Sequence, residues 1–427
     1  MRSRYRVSQF NAWLIPLLYA AGALLFGFTT PRLAYKLLPG FLSSISASAA
    51  IGIYSAVASG MLTLTGIVFS LTFVMVQFSA TAYSPRLVLW VARDPVMSHA
   101  IGIFTATFLY ALASLAWVDR YGTGRVPIVG MGVVTVLLIV SIAMFVALIQ
   151  RVRMLQVTQM LIFTGDQGRE IIETIYPTID ARPCTAPPDI FEIPCSQTLF
   201  HRGKPRILQA IDIPALLEIA CKGECVLEVT AEVGDAVHDS TPIIRVFGAS
   251  GPVAEAAVRD AIQLGNERTF EQDPKYAIRL LVDIAIKALS PAVNDPTTAV
   301  QALDQIEDLL IRLGRRRLEI GAYRDSGGKL RLLVAFPAWD DFLRLAFDEI
   351  RVYGATSIQV TRRMSALLSE LLSVLPEERR PELRHWQERL RTTVERTFTD
   401  KQDVLDACDE DRQGLGSSRR LTRSPLS

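Results

Sequence analysis

From Leu37 to Pro85 the chain carries no charged side chain, and inside that stretch many of the polar residues fall on one line of a helix. At about 100° per residue, Ser55, Ser59, Thr63, Gly66, Ser70, Gln77 and Thr81 lie within a sector of roughly 80°. A shorter line (Thr65, Thr72, Ser79) lies to one side, and most of the remaining surface is Leu, Ile, Val, Phe and Met. Water-soluble amphipathic helices put charges on their polar face. A face built from hydroxyls, an amide and glycine is what a helix inside a bilayer turns toward other protein or a narrow wet space. Four apolar segments, Ala12–Phe28, Tyr54–Phe78, Met97–Val118 and Val126–Gln150, contain no Asp, Glu, Lys or Arg. Each can cross the ~30 Å hydrocarbon layer, which takes about 20 helical residues. The pattern predicts a polytopic α-helical membrane protein: four transmembrane helices, then a cytoplasmic α+β domain, mostly helical with a small β-rich subdomain.

Periodicity and turn chemistry divide the rest. Residues 1–150 form the membrane domain, in which Ser46–Thr81 can be helical throughout, about 50 Å at 1.5 Å per residue, unless it breaks near Gly52 or Gly60. Beyond Arg151 and Arg153 the apolar line Met154, Val157, Met160, Leu161, Phe163 predicts that the fourth helix runs on as a stalk, and residues 151–200 end in a linker carrying Pro177, Pro183, Pro187, Pro188 and Pro194. Residues 201–250 read as the β-rich subdomain: Cys225–Val233 alternates, and Ile243–Phe247 can return against it. Val233–Ile244 resembles the hairpin of lipoyl- and biotinyl-type barrels, without a lysine placed for modification. Residues 251–411 read as helical. Pro274–Leu289 is apolar nearly all round except along Lys275, Arg279, Asp283 and Lys287. Asp295 and Pro296 are placed as N-cap and first residue of the next helix. Asp325-Ser-Gly-Gly328 suits a hairpin, three amphipathic helices follow, with a line Leu383, Trp386, Leu390, Val394, and residues 412–427 read as a disordered tail.

Charge sets an expected orientation. Arg2, Arg4, Arg6, Arg86, Arg93, Arg151 and Arg153 fall on one side of four spans, Arg32, Lys36, Arg120 and Arg125 on the other, which predicts both termini in the cytoplasm. Arg2, Arg4 and Arg6 also suit a signal peptide, but the apolar stretch is long for one and three more spans follow, so a retained anchor is expected. Residues 1–150 hold nine basic and two acidic residues, net +7; the remainder holds 36 and 41, net −5. An acidic C-terminal part argues against nucleic-acid binding, which needs a basic footprint. The five cysteines, Cys184, Cys195, Cys221, Cys225 and Cys408, are expected to be reduced thiols.

Standard catalytic signatures are missing: no Gly-x-x-x-x-Gly-Lys, no Gly-x-Gly-x-x-Gly after a strand, no Gly-x-Ser-x-Gly, no His-Glu-x-x-His. No enzymatic activity and no cofactor or metal is therefore predicted. Cys221-x-x-x-Cys225 with His201 or His238 has only loose zinc spacing, and two thiols packing as small hydrophobes is the preferred reading. Two candidate sites emerge. One is the stripe Ser55, Ser59, Thr63, Gly66, Ser70, Gln77, as a helix-packing face with small-xxx-small spacing or as the lining of a water-contacting path. The other is the polar cluster Glu267, Arg268, Gln272, Asp273, with Asn294 and Asp295 one helix later. It is either a ligand or partner site or a turn whose charges cap helix ends, and the second is favoured.

Several runs are familiar. Ser59–Phe78 followed by Tyr83-Ser-Pro-Arg86, Arg268-Thr-Phe-Glu-Gln-Asp273 and Ala288-Leu-Ser-Pro-Ala-Val-Asn-Asp-Pro296 resemble bacterial predicted membrane proteins of the domain of unknown function 2254 family. The resemblance covers roughly residues 10–400 and implies an inner-membrane protein with a cytoplasmic C-terminal half. It carries over no functional residues. The expected partners are the lipid bilayer and further copies of the chain in a homo-oligomer. Three classes of function stay open: a membrane-anchored sensor or scaffold, a homo-oligomeric channel or small-solute pathway lined by the second span, and, behind both, an enzyme at the membrane.

Overall fold

A computed structural model describes residues 14–37, 42–43, 46–82, 95–118, 126–153, 156–179, 193–249 and 251–416. The loop after Tyr83, the proline-bearing linker of residues 180–192 and the tail beyond residue 416 lie outside the described residues. The chain divides into two compact units, Met1–Gln159 and Met160–Ser427.

Among its described residues the first unit holds four apolar helices: α1 (Leu14–Leu37), α2 (Ala47–Ala82), α3 (Pro95–Leu115) and α4 (Ile128–Arg153). Three of them contain stretches long and apolar enough to cross a membrane, Ala47–Val74, Val96–Leu115 and Ile128–Gln150; the apolar part of α1, Leu14–Thr30, is shorter. α2 runs unbroken for 36 residues through Gly52 and Gly60, about 54 Å. α3 is the central helix, with 56% of its span buried against 17% in α2 and in α4. Close approaches fix it there. A Cβ on Gly27 of α1 would stand 2.6 Å from Cβ of Ala113, and one on Gly102 of α3 would stand 2.6 Å from the Tyr19 ring. Small residues let backbones meet where no hydrophobic force between helices exists. The pairs Tyr19/Gly102 and Gly27/Ala113 advance together along both helices, so α1 and α3 run parallel. Buried Thr107 and Ser141 join α3 to α4 through their hydroxyls at 3.0 Å. A two-residue ladder, β1 (Leu42–Ser43) antiparallel to β2 (Val126–Pro127), links the chain after α1 to the start of α4.

The second unit differs from the expected plan in four places. The fourth helix does not run on as a continuous stalk: α4 ends at Arg153, Gln156 is a bend, and α5 (Val157–Ile175) starts anew. From Met160 onward α5 is core, burying Met160, Leu161, Thr164, Gly165, Gly168, Ile171 and Ile172, because its glycines admit other helices. A Cβ on Gly168 would lie 2.8 Å from Leu309 and 3.0 Å from Ala277. Secondly, residues 195–200, assigned to the linker, form an edge strand, β3 (Cys195–Phe200).

Thirdly, the sheet does not close within residues 201–250. β4 (Arg206–Ile211), α6 (Ile213–Lys222), β5 (Val226–Val229), β6 (Ala236–Val237), β7 (Pro242–Phe247), α7 (Glu255–Asp260) and β8 (Ile262–Gly265) follow in order. The later hairpin of β9 (Ala322–Arg324) and β10 (Leu330–Val334) completes a five-stranded sheet of order β3-β7-β5-β10-β9, with β10 parallel to β5 and Leu332 opposite Leu227. β6 joins a separate sheet, β6-β4-β8, so Val233–Ile244 is not one hairpin: its two strands belong to different sheets. The expected antiparallel return of residues 243–247 against β5 is present, Val229 opposite Ile244. Leu227, Ile244, Val246, Leu332 and Leu216 of α6, all fully buried, form one apolar cluster across these pieces.

Fourthly, Arg412–Gly416 of the predicted tail is ordered against a helix. Asp411, 1% exposed, accepts from the backbone N–H groups of Gln413 and Gly416, and Arg412 pairs with Glu370. Gly414 and Gly416 both take positive φ, +69° and +70°, where glycine is strongly favoured. The helical part otherwise follows expectation: α8 (Pro274–Ala288), α9 (Pro296–Gly314), α10 (Trp339–Tyr353), α11 (Ile358–Val374) and α12 (Arg380–Thr397), then a short α13 (Lys401–Cys408). Leu383, Trp386, Leu390 and Val394 are all buried, and Arg279 on α8 forks across both carboxylate oxygens of Glu349 on α10 at 2.7 and 2.8 Å. Arg363 of α11, only 3% exposed, pairs with Asp304 at 2.8 Å and with Glu307, both on α9.

Gly168→Val should lower the melting temperature by several degrees, because overpacking a tight core costs about 1–3 kcal/mol. Differential scanning fluorimetry of the purified chain checks it; an unchanged melting temperature would mean that α5 is not held between α8 and α9.

Candidate functional site

Among the described residues the stripe on α2 lies on the exposed side of the helix. Ser55, Ser59, Thr63, Gly66, Ser70 and Gln77 are all exposed, and a Cβ on Gly66 would meet nothing within 4 Å. The opposite side of the helix is buried: Tyr54 2%, Val57 9%, Ala58 4%, Met61 3% and Val68 0% exposed. That side packs against α3, and Thr72 donates to the Met97 sulfur at 3.1 Å. Leu64 and Leu71 are half-buried at its margins. The threonines are satisfied within the helix: Thr63 donates to the Ser59 carbonyl at 3.0 Å, Thr65 to Met61 at 2.8 Å and Thr72 to Val68 at 2.7 Å. The polar face was legible in the sequence pattern; the packing of the opposite face against α3 was not.

In the second unit, Asp273 sits at the first turn of α8, 1% exposed. One carboxylate oxygen accepts from the Tyr276 backbone N–H at 3.1 Å, which is the N-cap bond, and both oxygens accept from Arg268, Nε at 2.7 Å and Nη2 at 2.8 Å. Burial pushes the Asp273 carboxyl above the usual carboxylate range, with Arg268 pulling the other way. The Arg268 guanidinium also lies 5.4 Å over the Tyr276 ring. Gly234, at φ +98°, brings the turn before β6 so close that a Cβ there would stand 2.5 Å from the Asp273 carboxylate and 2.9 Å from Arg268 Nε.

Gln272 behaves like a strand residue: its Oε1 accepts from Ile211 N–H at 2.9 Å and its Nε2 donates to Ile211 C=O at 3.2 Å, extending the edge of β4. The Glu267 backbone carbonyl accepts from Gln209 Nε2 at 2.7 Å. Arg268, Gln272 and Asp273 therefore come together. Asn294 and Asp295 do not join them; they lie past the other end of α8, whose 15 residues measure about 22 Å. Asn294 is exposed at φ +50°, and Asp295 caps α9 by accepting from Thr298 N–H at 3.2 Å and Thr298 Oγ1 at 2.6 Å.

Four further side chains join the cluster beyond those proposed from sequence. Lys275 pairs with Glu232 from the segment before Gly234. Tyr176, 1% exposed, lies near enough to feel the charges of Glu232 and Asp273, and burial pushes its hydroxyl up; that hydroxyl has no hydrogen-bond partner among the described residues. The Glu271 carboxyl is also raised by burial, and its Oε2 lacks a partner. Only the Val233-Gly-Asp turn carried a local signal; Tyr176 and Glu232 arrive by tertiary contact. The paired charges balance, Arg268 and Lys275 against Asp273 and Glu232. Among the described residues no three His, Cys, Asp or Glu side chains are grouped to hold a metal. His201 is buried with Nε2 2.8 Å from the Lys204 carbonyl, and Cys225 is buried while Cys221 is half-buried. The arrangement does what a turn that locks a helix entry does.

A family model described as a predicted membrane protein (domain of unknown function 2254) matches residues 9–370. Uncharacterised proteins of Mycobacterium bovis and Mycobacterium tuberculosis are each 28% identical over 329 residues, covering 74% of this chain and 63% of the relative. The match thus spans less than two thirds of the length of those relatives. No solved structure matches significantly.

Arg268→Ala should lower the melting temperature markedly, since stripping one partner from a buried pair costs about 3–5 kcal/mol. A parent-like melting curve would sink the structural role. Glu271 supplies a test by pH. A folded-state pKa above the unfolded one means its contribution is fully present below the unfolded value, near pH 4, and is lost as pH rises. Glu271→Gln should therefore raise the melting temperature at pH 7, with the gain vanishing toward pH 4; a loss of stability at pH 7 would show that the ionised carboxylate is engaged.

Proposed function

The chain belongs to the family of predicted membrane proteins of domain of unknown function 2254, and from that premise we propose that it is an inner-membrane, non-enzymatic sensor or scaffold. In this reading four helices anchor it, α2 assembles copies of it, and the C-terminal unit works in the cytoplasm. Membership supports the membrane location. Four crossings are supported by the parallel run of α1 and α3 and by the short ladder that joins the chain after α1 to the start of α4, as alternate crossing requires. Seven basic residues on one side against four on the other favour cytoplasmic termini.

The observation that carries the reading is the bare stripe on α2. From Ser55 to Gln77 it measures about 33 Å, the thickness of the hydrocarbon layer, and among the described residues no helix covers Ser55, Ser59, Thr63, Gly66 or Ser70. Glycine and serine at four-residue spacing allow another backbone to come close. A channel is the second reading, favoured by the same length: copies arranged about an axis would line it with uncharged hydroxyls from one side of the membrane to the other.

Gly66→Leu separates this interface from the fold, because a Cβ added there meets nothing within 4 Å among the described residues. The variant should keep its melting temperature and shift to a smaller species in detergent-solubilised cross-linking with Ser59→Cys. An unchanged oligomer would overturn α2 as the assembly face. Ion flux from liposomes carrying the parent protein would favour the channel over the scaffold.

A further inference from the structure

Between α1, α3 and α4 runs a groove of about 410 Å³ lined by Leu18, Gly22 and Phe26 of α1, Ala106 and Tyr110 of α3 and Val133 of α4. Its lining is almost wholly apolar. Its rim opens sideways, since Leu18 and Phe26 are both 62% exposed. Tyr19, which also lines it, meets His99 at one end, with 3.2 Å between the hydroxyl and Nδ1. Beyond the other end, Tyr110 and Ser114, 1% and 3% exposed, keep their hydroxyls inside the helix packing, out of the groove. One to two helical turns further along, exposed Arg32 stacks over the Trp117 ring with Cζ 4.9 Å from its centroid. Neither α1 nor α3 contains an acidic residue.

We propose that this groove holds the acyl chain of one bilayer phospholipid, with an anionic headgroup at Arg32. From Leu18 to Phe26 the groove extends about 12 Å along α1, the run of an extended acyl segment, not of a compact solute. A guanidinium held by an aromatic ring at the headgroup level is the charge complement of a phosphate. The assignment rests on the membrane reading of α1, α3 and α4 and is independent of assembly through α2.

The test is native mass spectrometry of the full chain released from nanodiscs of mixed phosphatidylglycerol and phosphatidylcholine. The parent should retain one phospholipid per chain and prefer phosphatidylglycerol by about fivefold, the effect of one cation at an anionic surface. Gly22→Leu adds bulk to the groove from a position where a Cβ meets nothing within 4 Å, and Ala106→Leu adds it from α3. Either variant that elutes and melts like the parent should lose the bound lipid. Arg32→Gln should keep the lipid and lose the preference for phosphatidylglycerol. Retention of lipid by a folded filled variant, or no retained lipid on the parent, overturns the site, and a preference that survives Arg32→Gln overturns the headgroup assignment. Release of the chain from membranes by an alkaline wash without detergent would instead remove the membrane reading beneath it.

Discussion

The second unit is organised by one carboxylate. Asp273 closes the first turn of α8, takes both donors of the Arg268 fork and abuts Gly234, so a single buried group joins a helix start, the loop that precedes it and the turn leading into β6. α8 is the helix the others pack on: it buries ten residues and lies against α9 and α10, and Gly168 of α5 reaches its Ala277. Shifting its start would displace every one of those contacts. A buried charge tolerates this only when its oxygens are all used, and here a guanidinium supplies geometry as well as compensation. Gln272, next to it, anchors the same loop to β4 by copying the pair of bonds a neighbouring strand would make. The helices and the sheet β6-β4-β8 are thus tied at one loop of six residues, Arg268–Asp273, five of which are polar side chains in mutual or backbone contact or in burial without a partner among the described residues.

What was legible in sequence is what short-range chemistry specifies. Asp273 with Pro274, and Asp295 with Pro296, each mark a helix start because an acceptor followed by proline suits the orphan donors of a first turn, and both caps form. The Asp325–Gly328 hairpin and the Leu383, Trp386, Leu390, Val394 line are local in the same sense. The parallel pairing of β10 with β5 is not local. It joins residues more than a hundred positions apart, and no periodicity within either strand distinguishes that neighbour from another. The same holds for the cluster at Asp273: Arg268 lies five residues away and was found, whereas Tyr176 and Glu232 arrive from other elements. The stalk misled for a related reason, since an apolar line continued past Arg153 but could not reveal that the helix restarts and turns its glycines into a core.

α2 shows where periodicity stops short in a bilayer. Its two faces differ in bulk, serine, threonine and glycine on one and Tyr54, Val57, Met61 and Val68 on the other, yet periodicity does not say which of them meets α3. The buried face is set instead by Tyr54, Met61 and Val68 fitting against α3, leaving the serines and Gly66 outward. The hydroxyls bear on what can cover that outward face. On that face Thr63 donates to the carbonyl four residues back, so it presents a methyl group and a satisfied oxygen, not an open donor. A face of that kind does not require water. It tolerates lipid at low cost, and against a second helix it offers what matters more there, the absence of bulk at Ser59, Gly66 and Ser70. Dispersion at close backbone approach, not hydration, is therefore the force available to this surface, which is why assembly is the reading it supports ahead of conduction.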